Sequence, residues 1–298
     1  MNDLGPMPPT GDVGPVATDA GTLQPIAPGV WAWIGADGVG NAGVVVDDDG
    51  ITVIDTLVAP SAARALNEAL ARFDRPVRRV VYTSSHLPSV GGSTVFWMAA
   101  RHGRSQASAL LEQPVPVDAY TRLAPAFASE FTSPDEAGRP YSTRPVSHVV
   151  DVAAWLTSSV MVVPVSGQQS ENLVVLVPGA HTLFCGAFAS IGTAPNAWDG
   201  DPEAWAAALG ELAGLDASVI VGGAGPIGTR DHLHAQQAYL LACVDADGDP
   251  RRIPSGPWDD WNDRDLDAVN VERAAALAVG DRGVPRTMLR RLGLDGTP

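Results

Sequence analysis

Apolar positions along this chain follow two periods, and the change of period divides the sequence into short strands and amphipathic helices. Runs rich in β-branched and aromatic residues, separated by Gly and Asp turns, cover residues 29–35, 42–50 and 50–56 and predict a strand meander. Residues 60–73 repeat apolar positions at helical spacing, and residues 77–84 form a buried strand run. The first part of the chain is therefore predicted to be a β-meander followed by a β-α-β unit.

The same order of elements returns in the second half. Four strand-like runs occupy residues 148–190, and an amphipathic helix over 201–215 leads into an apolar strand over 218–225. A further helix is predicted over 226–244. Two halves that each give strands, then a helix, then a strand predict an α/β fold, an αββα sandwich of two mixed β-sheets flanked by helices.

The segment that joins the two halves is less regular. Residues 92–103 have the composition of a helix, whereas residues 113–145 are polar and interrupted by prolines. We predict a loop with one or two helical turns over this second stretch. Loops of that length usually serve a function.

Both ends of the chain differ from the predicted αββα domain, which we place at residues 25–245. Residues 1–24 are rich in Gly and Pro and show no periodicity, which predicts a flexible N-terminal arm. Residues 246–298 are a C-terminal extension that begins with a stretch of linker composition. The rest of the extension is predicted to hold one longer and one shorter amphipathic helix. Trp258 and Trp261 mark the face that docks, either over the domain or across a seam between two copies in a homodimer.

Composition and charge exclude several classes of protein. The 298 residues are 45% apolar, which excludes global disorder. All 19 basic residues are Arg, and the net charge of −15 argues against a nucleic-acid partner. Cys185 and Cys243 lie in separate apolar runs, which excludes a disulfide framework and a zinc ribbon. With no apolar run of 18 residues and no leader pattern, we expect a cytoplasmic protein without a membrane partner.

The loop after the buried strand, TSSHLPSVGG over residues 83–92, resembles the metallo-β-lactamase superfamily. The signature of that family is Thr-His-x-His-x-Asp-His-x-Gly-Gly. Thr83 and His86 keep the threonine and the second histidine, and two glycines close the loop as in the family. The other ligand positions have changed, because they carry Ser84, Pro88 and Ser89.

Later landmarks of the resemblance show the same loss of ligands. Residues 165–188 are similar to the family's Gly-His-Thr-Pro-Gly-Asn strand pair ending in Leu-Phe-x-Gly-Asp, with Gln168 at the histidine and Ala187 at the bridging aspartate. Ala224 stands at the final histidine, whereas Asp55 keeps the aspartate of Val-Ile-Asp-Thr. The resemblance spans residues 26–242 in conserved order and spacing. It implies the fold of the family without its catalytic metal.

A catalytic zinc or iron needs at least three protein ligands, and hydroxyls, an amide, a proline and alanines do not supply them. We therefore predict no metal and no other cofactor. His86 is then either a leftover hydrogen-bonded histidine or an acid–base residue at the old metal cavity, since an imidazole titrates near neutral pH. Alanines at two former ligand positions predict a roomy cavity there.

Several neighbours of His86 in the sequence are candidates for the same site. Ser84 lies on the same side of an extended chain as His86, so a Ser-His hydrogen bond and a nucleophilic serine are one alternative, with Asp55 as the orienting acid. Gln168 and Gln169 either are polar loop residues or donate their amide hydrogens to a carbonyl oxygen. The predicted catalytic residues are His86 and Ser84, and the predicted substrate-binding residues are Ser85, Ser89, Gln168, Gln169 and Asp55.

Three functions follow from different classes of protein. The first is a metal-independent enzyme that reuses the old cavity for cyclisation, dehydration or ester or thioester cleavage of a hydrophobic small molecule. The second is a non-catalytic ligand-binding protein, and the third is a hydrolase that uses Ser84 or His86 directly. The resemblance extends to the cyclase and thioesterase members from aromatic polyketide pathways, which implies the first. We expect a small-molecule substrate.

Overall fold

The computed structural model describes residues 14–36, 39–135 and 137–294. Its first sheet has eight strands in sequence order, with antiparallel pairing up to β5 and parallel pairing from β5 to β8. The strands are β1 Val16–Thr18, β2 Gly21–Ala27, β3 Val30–Gly35, β4 Ala42–Asp47, β5 Gly50–Ile54, β6 Val77–Val81, β7 Ala100–Gly103 and β8 His148–Val149. The predicted meander and β-α-β unit lie in this sheet.

The second sheet has five strands in the order β13-β12-β11-β10-β9, and only β12 and β13 are parallel within it. These strands are β9 Ala154–Trp155, β10 Met161–Pro164, β11 Leu173–Val177, β12 Thr182–Ser190 and β13 Val219–Ala224. The helices of the described chain are α1 Pro60–Leu70, α2 Leu87–Val90, α3 Ser105–Leu111, α4 Val117–Leu123, α5 Ala128–Thr132, α6 Pro202–Ala213, α7 Arg230–Asp245, α8 Leu266–Ala278 and α9 Arg286–Arg291.

Strand β3 shows why its sequence is apolar on every residue. Val30 and Ala32 pack into the core between the two sheets, whereas Trp31 and Trp33 pack on the other face, beneath α1. A strand buried on both faces needs apolar residues at every position. Helices α6, α7 and α8 cover the outer face of the second sheet. The predicted αββα sandwich is confirmed.

Two predictions of local structure are wrong. Strands β1 and β2 occupy part of the predicted arm, because Leu23 is fully buried and β2 pairs with β3 along its length. The first strand of the described chain therefore begins at Val16, and residues 1–13 of the predicted arm lie outside the described residues. The predicted helix over 92–103 is a series of turns that ends in β7, because pairing with β6 draws this stretch into the sheet.

The C-terminal extension docks on its own domain. Trp258 is buried in the cluster formed by α6 and α7, and its ring meets Tyr239 at 5.9 Å with the rings nearly perpendicular. The predicted linker contains a turn of 3-10 helix at Pro250–Arg252. Across the described part of the chain, no helix combines the length and apolar character needed to cross a bilayer.

Candidate functional site

Three loops meet at the end of the sandwich where the resemblance placed the old metal cavity. They are the turn over 83–92 after β6, the loop over 165–172 between β10 and β11, and the loop over 191–201 between β12 and α6. The last two are joined by a hydrogen bond of 2.7 Å from the Asp201 amide to the Gly167 carbonyl. Gly200 permits their close approach, since a Cβ there would lie 2.7 Å from the Gln168 carbonyl oxygen.

Asp55 anchors the first loop from below. Its carboxylate accepts hydrogen bonds from the Thr83 amide at 2.8 Å and the Thr83 hydroxyl at 2.6 Å. Gly186 approaches so closely that a Cβ would lie 2.7 Å from Asp55 Oδ2. Burial raises the pKa of Asp55 to about 7, against the hydrogen bonds from Thr83 and Ser89 that lower it. Asp55 is only 3% exposed, so the structure gives it an anchoring position beneath the loop.

This raised pKa predicts that the protein loses stability as pH rises. The Asp55 pKa is about 7 in the folded chain against 3.8 ordinarily, so the folded state holds a proton that the unfolded state has released. The proton on Asp55 stabilises the folded state fully below pH 4. As pH rises from 4 to 7, the free energy of unfolding falls by about 1.4 kcal/mol per pH unit. Urea unfolding at pH 5 and pH 8 measures the fall.

The matched variant for this prediction is Asp55→Asn, which stays neutral and keeps the shape of the side chain. Its free energy of unfolding should fall less between pH 5 and pH 8 than that of the wild type. Because His86 also has a raised pKa and acts in the same direction, His86→Gln measures that second contribution separately. An Asp55→Asn protein with the wild-type fall would show that Asp55 is ionised in the folded chain.

The serines of the first loop bond to one another. Ser84 Oγ and Ser89 Oγ lie 3.2 Å apart, and Thr83 Oγ1 lies 3.2 Å from Ser89 Oγ. Ser84 also accepts the His86 backbone amide at 3.1 Å, whereas both nitrogens of the His86 ring have other partners. The hydrogen bond predicted between the Ser84 hydroxyl and the imidazole is therefore absent from this described site. Ser84 and Ser89 are buried and line the interior of the turn.

His86 is held by groups from both of the other loops. Its Nε2 lies 3.3 Å from Asp199 Oδ2, and Gln168 Nε2 lies 3.3 Å from its Nδ1. Asn172 donates to Gln168 Oε1 at 2.9 Å, which fixes the amide so that its NH₂ group faces the imidazole. This arrangement favours the neutral tautomer in which Nδ1 accepts and Nε2 donates to Asp199.

Two carboxylates surround this imidazole. Burial lowers the pKa of His86, but the hydrogen bond to Asp199 and the negative charges of Asp199 and Glu171 outweigh burial and raise it above 6.5. Glu171 is itself buried and accepts the Ser85 hydroxyl at 2.9 Å. Ser85, predicted to bind substrate, is thus tied to a carboxylate. The two carboxylates raise the pKa of the ring and make the site negative, which disfavours an anionic ligand.

Two buried polar atoms in the loops that carry Gln168 and Asp199 have no hydrogen-bond partner in the described structure. They are Asp199 Oδ1, an acceptor, and Gln169 Nε2, a donor. The Gln169 backbone amide donates to Asn172 Oδ1 at 2.6 Å, so the loop is anchored while its side-chain amide is not. Buried polar atoms normally find a partner, which makes these two available to a bound ligand or water.

Two voids among the described residues lie in other places than the roomy cavity that the alanines predicted. A void of about 410 Å³ lies elsewhere, between the turn after β4 and the segment after β9, lined by Asp47, Asp49 and Arg79 among others. A second space of about 10 Å³ lies beside Asp55 and Gly186. Neither is lined by His86, because hydrogen-bonded side chains fill the centre of the site. The His86 side chain nevertheless remains 26% exposed.

Sequence reasoning found His86 and Gln168 but missed Asp199 and Glu171. The sequence could have identified Asn172, because it occupies the position of the last asparagine in the family's Gly-His-Thr-Pro-Gly-Asn motif. No sequence signal identifies Asp199, because it lies 113 residues from His86 and no motif surrounds it. Only the tertiary contacts of its loop bring it to the imidazole.

The donor set of this site does not fit the metal of the family. Serine hydroxyls and an amide replace imidazoles, and the two serines already bond to each other while the Gln168 amide accepts from Asn172. Within residues 14–36, 39–135 and 137–294, no three His, Cys, Asp or Glu side chains converge as metal ligands.

Comparisons with known proteins agree with the fold. The model of the metallo-beta-lactamase superfamily matches residues 35–224. No curated protein matches the chain. Among solved structures, VMB-1 at pH 5.5 is 18% identical with a TM-score of 0.61, and 76% of this chain covers 100% of it. The mono-zinc form of FIM-1 from Pseudomonas aeruginosa is 19% identical with a TM-score of 0.58, and 82% of this chain covers 98% of it.

Proposed function

We propose that this chain is a metal-independent enzyme. It belongs to the metallo-beta-lactamase superfamily, because the model of that family matches residues 35–224. It is a degenerate member, because no group of metal ligands is found among its described residues. Its substrate is a neutral, hydrophobic small molecule or acyl compound, and its reaction is a cyclisation, a dehydration or the cleavage of an ester or thioester, as in polyketide cyclases. The observation that carries this proposal is the partly exposed His86 imidazole paired with the Asp199 carboxylate.

His86 is the proton-transfer group of the proposed reaction. Its contacts with Gln168 and Asp199 are both 3.3 Å, longer than the usual 2.9–3.0 Å, so the Gln168 contact is weak enough for a substrate to replace, and the Asp199 contact can tighten when substrate binds. A substrate that displaces the Gln168 amide from Nδ1 exposes the lone pair that takes a proton. Asp199 then stabilises the imidazolium, as carboxylates do for catalytic histidines.

Gln168 and the unpartnered atoms account for substrate orientation. Once displaced from Nδ1, the Gln168 NH₂ group can donate to a substrate carbonyl oxygen, where negative charge develops as the proton leaves. Gln169 Nε2 supplies a further donor, and Asp199 Oδ1 accepts from a substrate hydroxyl. The carboxylates beside His86 and the net charge of −15 favour a neutral substrate over an anionic one.

A non-catalytic ligand-binding protein is the second candidate. It is favoured by one observation, that both ring nitrogens of His86 already have hydrogen-bond partners. The third alternative, a hydrolase with Ser84 as nucleophile, has less support, because the Ser84 hydroxyl bonds to Ser89 and the His86 amide.

Metal analysis and a substrate panel test the proposal together. Protein purified without chelator should contain far less than one zinc, iron or manganese per chain by elemental analysis, because the ligand set is missing. The same protein, dialysed against EDTA, is then offered acyl thioesters, aryl esters and enolisable polyketones, with products detected by mass spectrometry. We expect turnover of at least one class, undiminished by EDTA.

Three other outcomes have distinct meanings. Stoichiometric metal, or activity restored only by adding zinc or manganese, would overturn metal independence. Thermal stabilisation by a panel compound without turnover would favour the binding protein. A panel in which no compound is turned over and none stabilises the protein would contradict the proposed substrate class.

A further inference from the structure

The loop that carries Asp199 is held in place by the C-terminal extension. At its start, the Asn262 amide donates to the Gly192 carbonyl at 3.0 Å, and the Ala194 amide donates to the Asn262 carbonyl at 2.9 Å. Two side chains of α8, Asn270 and Arg273, contact the remainder of the loop. The extension therefore meets this loop along its length.

Asn270 holds the middle of the loop. The side chain is fully buried, and its Oδ1 accepts the Ala197 amide at 2.9 Å. Its Nδ2 donates to the Pro195 carbonyl at 2.7 Å and to the Tyr239 hydroxyl at 3.0 Å. With both amide hydrogens and the oxygen engaged, the carboxamide has one orientation and fixes the loop backbone on either side of residue 196.

Arg273 holds the residues at Asp199 itself. The side chain is 5% exposed, and its Nε donates to the Gly200 carbonyl at 2.7 Å. One terminal nitrogen lies 3.4 Å from the Asp199 carbonyl oxygen, and the other donates to the Gly283 carbonyl at 3.1 Å. A buried guanidinium is costly unless its donors are satisfied, and its rigid fork fixes the groups it bonds.

We infer that Asn270 and Arg273 are positioning residues that set the Asp199 carboxylate against the His86 ring, which makes the extension part of the site. They bond to the backbone on both sides of Asp199, one turn of α8 apart, and neither contacts the imidazole. The catalytic meaning of this inference rests on the proposed function, where small misplacements of a reacting group cost rate. The geometric inference is independent of any reaction.

The test uses the full chain and the imidazole of His86 as reporter. In ¹⁵N-labelled protein, NMR shows which ring nitrogen carries hydrogen and at what pH the ring titrates, and the His86→Gln protein identifies the signal among the 6 histidines. Asp199→Ala shows the ring without its carboxylate. The positioning variants are Arg273→Met, Asn270→Ala and Arg273→Lys. The lysine variant is the milder change, because it keeps the aliphatic chain and the positive charge but lacks the planar guanidinium group.

The matched control is Glu272→Ala, the neighbour of Arg273 on the same helix. Glu272 accepts hydrogen bonds from the Arg286 and Thr287 amides at 2.9 Å, so it anchors α9 and does not touch the Asp199 loop. Its loss should weaken the extension while leaving the His86 signals unchanged. This control separates loss of positioning from loss of stability.

In the wild type we expect the tautomer with hydrogen on Nε2. Asp199→Ala should lower the titration midpoint, because an adjacent opposite charge has been removed. Arg273→Met, Asn270→Ala and Arg273→Lys should each show at least half of that change and a mixture of tautomers. The inference is overturned if all three fold and match Glu272→Ala. Failure of every protein to turn over the panel would instead overturn the proposed function, leaving the NMR result standing.

Discussion

Removing residues 250–298 should yield a chain that is insoluble or that melts far below the intact protein. The extension contributes Trp258, Leu266, Val269, Val271 and Met288 to the same buried cluster as α6 and α7. Each buried apolar side chain contributes about 1.5–3 kcal/mol, whereas a whole domain is stable by only about 5–15 kcal/mol. Five such side chains together contribute about 7.5–15 kcal/mol, which is comparable to that whole margin. The soluble fraction and the melting temperature measure the effect.

A matched pair of single variants tests the same cluster without truncation. Trp258→Ala should cost about 3–5 kcal/mol, as large-to-small changes in a core do. Trp97→Ala changes the same side chain where it is 63% exposed and should leave stability nearly unchanged. A truncated chain that stays soluble with an unaltered melting temperature would show that the extension is an independent appendage.

Much of the fold could be predicted because burial imposes visible periods on the sequence. Strands β3 to β5 carry continuous apolar runs, since both faces of each are covered, and α1 buries Ala62, Ala63, Leu66, Ala69 and Leu70 on one side. These patterns are local, so the sequence alone reveals them. The order of strands, helix and strand then leaves few layer arrangements.

The wrong predictions concern stretches whose structure depends on pairing with another strand. The turns after α2 have helical composition, but Gly91 and Gly92 pack closely against the backbone at residues 56–59, and the chain then pairs with β6. Strand β1 is equally dependent, because within the described residues it is held in the sheet by pairing with β2, for example Val16 opposite Leu23. Pairing across a sheet is not visible in local propensity.

The candidate site divides in the same way. The loop motif locates His86 and the changed ligand positions, since a motif keeps its own spacing. The number of alanines suggested an open cavity, but the sequence did not show that Asn172 and Asp199 would fill the surroundings of the ring with hydrogen bonds. Asp199 reaches His86 only because Asn270 and Arg273, more than 70 residues further along, hold its loop.

Replacing His86 should have the largest effect on activity of any single change in the site. On a substrate found in the panel, His86→Ala or His86→Gln should lower turnover by about 10²–10⁴-fold, the range typical of general acid–base groups. Folding should be intact, because the ring is 26% exposed. Steady-state kinetics measure the loss, with circular dichroism as the check on folding.

Ser84 and Asp199 supply the controls that assign the role of the imidazole. Ser84→Ala should cost less than the histidine change if the serine only supports the loop, and about as much if it is the nucleophile. Asp199→Asn removes a charge that raises the pKa of His86, so a reaction that needs the neutral ring should keep its rate to lower pH. If His86→Ala leaves both turnover and ligand binding unaltered, His86 is not at the functional site. Another surface of the protein then binds the substrate and carries the reaction.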